Sequence, residues 1–163
     1  VSTRLVCYSA LSEVQRERLL DIQVHTEQKS FSGDIHGALH TLLQQPSSNL
    51  RGFALLDGDL PVAFLLLKRP PFLPPWADED AATLHALQVD ARVQGRGYGK
   101  ACLQALPAVA LAAWPQIRQL MLSVDEDNLV AHRLYLSQGW VDSGTAYRGR
   151  VGHERRLALK LPA

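Results

Sequence analysis

The chain has 163 residues, 47% of them hydrophobic and 20% charged, with a formal net charge of +1. That length and composition suit one folded soluble domain with a sizeable core, and the near-neutral balance excludes the strong field of a dedicated nucleic-acid or anionic-membrane binder. Two cysteines, Cys7 and Cys102, are too few for a disulfide framework and stand at no metal-ligand spacing, so a reducing, cytoplasmic setting without a bound metal is expected. No charged-then-apolar leader precedes the first strand and no apolar run approaches membrane-spanning length, so no membrane partner is expected. Arg148, Arg150, Arg155 and Arg156 cluster near the end and read as the solvated side of a strand pair rather than a nucleic-acid patch.

Leu5–Tyr8 is a short β-prone run. Ser12 and Gln15 form a Ser-x-x-Gln capping box that opens a helix. Val14, Leu19 and Ile22 supply its apolar face, with Leu20 at the edge. Asp34 is the N-cap of a second helix whose apolar side is Ile35, Leu39 and Leu42–Leu43. Leu50–Leu56 and Val62–Leu67 form a hairpin through Asp57-Gly58-Asp59. Phe64–Leu67 is apolar throughout and predicts a strand covered on both faces. A stiff proline-rich loop, Pro70–Trp76, and the acids Asp78, Glu79 and Asp80 lead to the strand Ala82–Val89. The period of two puts Thr83, His85, Leu87 and Val89 on one face of that strand.

The stretch that follows is the most informative in the chain. Gln94-Gly95-Arg96-Gly97-Tyr98-Gly99-Lys100 opens a helix that extends to about Ala113, with a kink expected near Leu103–Pro107. Glycines let the backbone turn tightly and approach a ligand, and a helix start directs free N–H groups and the positive end of the dipole at one point. Together these make a phosphate site. The P-loop pattern fails, because Gln94 stands where its first glycine belongs and Ala101 where it needs Ser or Thr. The dinucleotide pattern fails at Lys100 or Cys102. What remains is Gln94-x-x-Gly97-x-Gly99. Further on, Gln119–Val124 is a strand, and Asn128 caps a helix that stops at Gly139. Asn128, Ala131 and Tyr135 share one side of that helix, while Val130 and Leu134 lie on another side expected to face the core. Trp140-Val141 begins a strand, Gly144–Gly152 is turn-rich, and Arg155–Leu161 is the last strand.

The loop Gln94-x-x-Gly97-x-Gly99 resembles the pyrophosphate loop (Q/R-x-x-G-x-G/A) of the GCN5-related N-acetyltransferases, the GNAT superfamily. Asn128-x-x-Ala131-x-x-x-Tyr135-x-x-x-Gly139-Trp140 resembles a second segment of that family, with Trp140 where Phe is usual. The resemblance spans about Leu84–Val141. It implies a single α/β (α+β) domain over residues 1–163, with a mixed, mostly antiparallel sheet of six to seven strands flanked by about four helices. It also implies acetyl-coenzyme A as the donor and direct transfer of the acetyl group to a primary amine of a small molecule or peptide. Backbone N–H groups of Gln94, Gly95, Arg96, Gly97, Tyr98, Gly99 and Lys100 would hold the pyrophosphate. Leu87 and Val89 would pair with the pantetheine, and the Val89 N–H would polarise the acetyl carbonyl. Asn128 and Ala131 would flank the pantetheine arm, and Tyr135 would protonate the departing thiolate. His85 resembles the histidine on this strand of the arylalkylamine acetyltransferases and is the candidate base, with Asp80 and Glu79 in reserve; Thr83 stands where some members have a glutamate. His25, Glu27, His36 and His40 are candidate acceptor contacts, with Phe72 and Trp76 as candidate pocket walls. The alternative readings are a non-catalytic sensor or scaffold that binds coenzyme A or a peptide, and transfer to a hydroxyl or of a longer acyl chain. A homodimer is compatible with this sequence, and the acceptor is not legible in it.

Overall fold

The computed structural model describes residues 2–25, 33–148 and 153–162. The elements run β1 (Thr3–Cys7), α1 (Glu13–Leu19), α2 (Ile35–Gln44), β2 (Leu50–Asp57), β3 (Leu60–Lys68), β4 (Ala81–Val89), α3 (Tyr98–Ala113), β5 (Gln119–Asp125), α4 (Leu129–Ser137), β6 (Val141–Arg148) and β7 (His153–Lys160). The strands form one seven-stranded sheet in the order β1-β2-β3-β4-β5-β7-β6. Every neighbouring pair is antiparallel except β4 and β5. Among the described residues this is the mixed, mostly antiparallel sheet with four helices that the family resemblance implies.

Apolar residues cover both faces of the sheet, so its centre is buried twice over. On one face Leu55, Leu65, Leu67, Leu84 and Leu120 pack with Leu103, Leu106 and Ala110 of α3. On the other, Ala54, Leu56, Phe64 and Leu66 pack with Leu19, Ile35, Leu39 and Leu42 from the first two helices. The unbroken apolar run Phe64–Leu67 follows from this double cover. Gly52 lies where α2 packs tightly on the sheet. A Cβ there would stand 2.7 Å from Leu42 Cδ2 and 2.8 Å from Phe64 Cζ.

Local chemistry sets the helix starts. Ser12 and Gln15 make both bonds of the capping box on α1, and Asp34 Oδ1 accepts from the Gly37 N–H at the start of α2. α1 is only seven residues long. Val14, expected on its buried side, is 63% exposed, while Leu19 and Ile22 go into the core. α3 continues through Pro107.

Two strands depart from strict alternation. β6 runs through Gly144, which the sequence reads as part of a turn; Gly144 takes φ 117, and the pairing with β7 slips between Asp142 and Tyr147. That is the work of irregular strand residues, which absorb an extra position and increase twist. In β4, Ala86 has φ 56, and the register against β3 shifts between Phe64 and Leu66. The consequence is a change of face. Leu66 pairs with His85 on the α1–α2 side, whereas Ala63 pairs with Val89 on the α3 side. Thr83 and His85 therefore do not share a face with Leu87 and Val89, contrary to the period-of-two expectation. The inserted residue reverses the alternation.

Candidate active site

β4 and β5 pair only at Ala81–Gln119, Ala82–Leu120 and Thr83–Met121. β4 continues to Val89 and β5 to Asp125, so the two strands part beyond Thr83. The gap opens into a cavity of about 300 Å³. Leu87, Gln88 and Val89 wall it on one side and Ala131, Leu134 and Tyr135 of α4 on another, with Gln94, Gly95 and Gly97–Lys100 across its end. The structure thus gathers most of the residues expected at the donor site. Arg96, Asn128 and His85 are not among those lining the cavity.

The backbone at the strand end is oriented by its neighbours. The Asp90 N–H donates to Val62 C=O on β3 at 2.9 Å. Alternation then turns the Val89 N–H to the other edge, toward the gap. The Val89 carbonyl on that edge is taken by Gln94 Nε2 at 3.2 Å, so the Gln94 side chain closes the loop. Asp90, 5% exposed, accepts from Arg92 Nε and Nη2 and from the Arg92 and Gln23 N–H groups. These bonds hold its carboxyl below the usual range despite its burial, with the Arg92 side chain the leading favourable partner. Arg92 Nη2 also donates to Asp21 C=O at 2.7 Å, which ties the segment after α1 to the end of β4.

The three glycines of the loop have different reasons. Gly95 and Gly97 each take φ 82, and a Cβ on either would meet nothing within 4 Å. The backbone requires glycine there, and the space beside it is open to a ligand. Gly99 has ordinary φ, and its Cβ would stand 3.2 Å from Leu134 Cδ2. Its smallness seats the first turn of α3 against α4. Tyr98 is turned inward at 6% exposure, and its hydroxyl donates to the Asp57 carboxylate at the end of β2. That bond, more than burial, raises the Tyr98 pKa. Tyr98 contributes its backbone to the loop and its side chain to anchoring α3. Lys100, beside it on the first turn, is exposed.

On α4, Asn128 Oδ1 accepts from the Ala131 N–H at 3.4 Å, an N-cap bond. Tyr135 is 9% exposed, with its ring 5.8 Å from that of Trp140. Its hydroxyl makes no hydrogen bond to another described residue. Burial, with Cys102 nearby, raises the Tyr135 pKa well above the ordinary phenol value, so the proton stays on the oxygen. Burial also pushes the Cys102 thiol up to about 12, which keeps it an inert core group. Val130, expected in the core, is 74% exposed at the lip of the cavity.

The candidate base and acceptor residues lie elsewhere. His85 Nε2 is 2.7 Å from Thr83 Oγ1 on the α1–α2 side of β4. Burial, and then the Lys68 charge, lower its pKa to about 3. Asp78 and Asp80 both accept from Gln119 Nε2, at 3.0 and 2.8 Å, near the start of β4. Eight strand steps separate Ala81 from Val89, about 26 Å at the usual rise. The proline-rich loop is at that far end as well: Trp76 C=O accepts from Arg156 Nη1, and Phe72 packs on the α1–α2 core. His36 and His40 line a separate groove between α1 and α2 that shares no residue with the donor cavity. His25 is exposed, and Glu27 lies outside the described residues. Arg155, from the basic cluster, is held by Asp142 at 2.8 Å.

Sequence reasoning missed Gln88, Val24 and Leu134 as cavity residues. Gln88 was open to notice as the one uncharged amide in an otherwise largely apolar strand end. Among the described residues, no three His, Cys, Asp or Glu side chains are grouped to hold a metal ion, and no helix is long and apolar enough to cross a membrane.

The family model described as acetyltransferase (GNAT) family matches residues 16–140. An uncharacterized N-acetyltransferase of Bacillus subtilis (strain 168), YbbJ, is 30% identical over 102 residues, which make up 61% of this chain and 64% of that protein. The match therefore spans less than two thirds of that relative. Among solved structures, the GNAT domain of S. lividans PAT superposes with a TM-score of 0.71 at 22% identity, covering 98% of this chain and 90% of that one. The aminoglycoside acetyltransferase AAC(6')-Ib, in complex with coenzyme A, gives 0.73 at 16% identity, covering 98% and 95%. At these identities the structural likeness shows the fold.

Proposed function

This chain belongs to the GNAT acetyltransferase family, and from that premise we propose that it moves an acetyl group from acetyl-coenzyme A to a primary amine of a small molecule or peptide by direct transfer. The observation that supports this most is the parting of β4 from β5, with the glycine loop at one end of the gap and Tyr135 on its wall. The residues present fit coenzyme A. Open space beside Gly95 and Gly97, with the start of the sixteen-residue helix α3 behind it, suits a pyrophosphate. The unpaired edge of β4 offers backbone groups to an amide-bearing arm. Asn128 stands outside the cavity lining, with its oxygen engaged in capping α4. Bound acetyl-coenzyme A would supply the acetyl thioester.

The Val89 N–H faces the gap and donates to the carbonyl oxygen as charge develops on it. Tyr135 holds its proton through the physiological range and would give it to the sulfur as the carbon–sulfur bond breaks, while the proton that the amine nitrogen loses on forming the amide passes to water and from water back to the Tyr135 oxygen. His85 is a weak proton acceptor as it sits, because a base works best with a pKa near the operating pH. Its place is to bond Thr83 and shape the acceptor side of β4, and the amine enters in its neutral form. The aminoglycoside acetyltransferase, similar in fold, makes a small-molecule amine a natural first class to assay. The test is thiol release from acetyl-coenzyme A across a panel of amines, amino acids and peptides. Amine-dependent release supports the reading; tight coenzyme A binding with no release by any acceptor would favour a sensor or scaffold.

A further inference from the structure

Gln88 is a polar residue placed where an apolar one would fit. It is 3% exposed. Its Nε2 donates to the Ala86 carbonyl at 3.1 Å, and its Oε1 is enclosed and has no hydrogen-bond partner among the described residues. Exchanging the two ends would set oxygen against oxygen, so the bond fixes the amide's orientation. A buried acceptor without a partner destabilises the fold. Methionine has a similar length and would fill the space without that cost. Whatever the glutamine contributes therefore comes from its Nε2.

That bond ends on Ala86, which has φ 56 and is the one non-glycine residue with positive φ among the described residues. Alanine does not favour the left-handed region on its own. Ala86 is also where β4 slips against β3 and reverses the faces of its side chains. The reversal brings Leu87 and Val89 to the cavity, and Gln88 itself lines it.

We propose that Gln88 is a positioning residue of the donor site: its Nε2 clamps the Ala86 carbonyl, holds the bulge in left-handed geometry, and so presents the Leu87–Val89 backbone to the acyl donor. This rests on the reading of the cavity as the acetyl-coenzyme A site. The clamp makes the strand end rigid without using the β5 edge, which stays free for the ligand.

The test is calorimetric titration of coenzyme A into four proteins with melting temperature monitored: wild type, Gln88→Met, Ala86→Gly and the double variant. Gln88→Met is expected to keep its melting temperature and bind about tenfold more weakly, a loss in keeping with releasing one left-handed alanine. Ala86→Gly in that background is expected to recover most of the affinity, because glycine enters positive φ unaided. A purely space-filling role for Gln88 would show no such rescue. If Gln88→Met does not fold, Gln88→Leu, which is apolar and lacks the donor, takes its place with the same expectation. Wild-type affinity in the single Gln88 variant, or a loss that persists in the folded double variant, would overturn the proposal. Absence of binding to the wild type would overturn this inference together with the proposed function, whereas wild-type affinity in Gln88→Met overturns this inference alone.

Discussion

The two halves of β4 differ in pairing, burial and regularity. From Ala81 to Leu84 it is paired to β5 through Thr83, fully buried, and flanked by core residues on both faces. From His85 to Val89 it is bulged, unpaired on the β5 side, and less completely buried at His85, Ala86, Leu87 and Val89. One half holds the sheet together; the other gives up those contacts and leaves backbone groups open to a ligand. The second half is held in place by side-chain bonds instead: Gln88, within the strand, on Ala86, and from beyond the strand Gln94 on Val89 and the Asp90–Arg92 clamp.

The sharpest way to break this comparison is to shorten one leucine in each half. Leu84→Ala, 4% exposed in the α3-side core, is expected to destabilise the protein by about 2–5 kcal/mol in denaturant unfolding. Leu87→Ala, at the cavity, is expected to cost under about 1.5 kcal/mol and to weaken coenzyme A binding instead. Equal losses of stability would mean that the halves are not distinct. Next in size is Gly97→Ala. With φ 82 at that position, the substitution is expected to cost about 1–2 kcal/mol and to raise the Kd for acetyl-coenzyme A at least about tenfold, read by titration.

At neutral pH the smallest effects belong to His85. Its pKa in the fold, about 3, lies below the unfolded value of 6.5, so as pH falls below 6.5 the unfolded chain takes up a proton that the fold refuses. Stability therefore declines from pH 6.5 toward 3, and His85→Gln is expected to flatten that decline in melting temperature. The pH profile of turnover between 6 and 8 is expected to be the same in His85→Gln and wild type. An acidic limb, turnover falling as the pH drops, that is present in wild type and absent from the variant would restore His85 as the proton acceptor.

What was legible in the sequence was local. Ser12 with Gln15, Asp34 before its helix, and Asp57-Gly58 in the hairpin act through bonds a few residues long. The glycine loop was legible because a backbone at positive φ demands glycine, and the chemistry it serves follows from a helix start. The bulge was not. Alanine carries no signal for φ 56, and one unseen residue put Thr83 and His85 on the wrong face. The Tyr98 bond to Asp57, 41 positions away, depends on the sheet being assembled. Val130 follows a helical apolar pattern, yet on α4 that side borders the cavity rather than the core. Gly99 lines the cavity with the rest of the loop, and its smallness also seats α3 against Leu134, a contact that depends on the assembled fold.

The proposed transfer depends most on Tyr135 as the proton donor at the parted strands. Turnover of acetyl-coenzyme A with a competent amine, compared between wild type and Tyr135→Phe, tests this most directly. The predicted result is a fall in kcat of roughly 100-fold or more with the Kd for acetyl-coenzyme A unchanged. Wild-type kcat in the phenylalanine variant would contradict it.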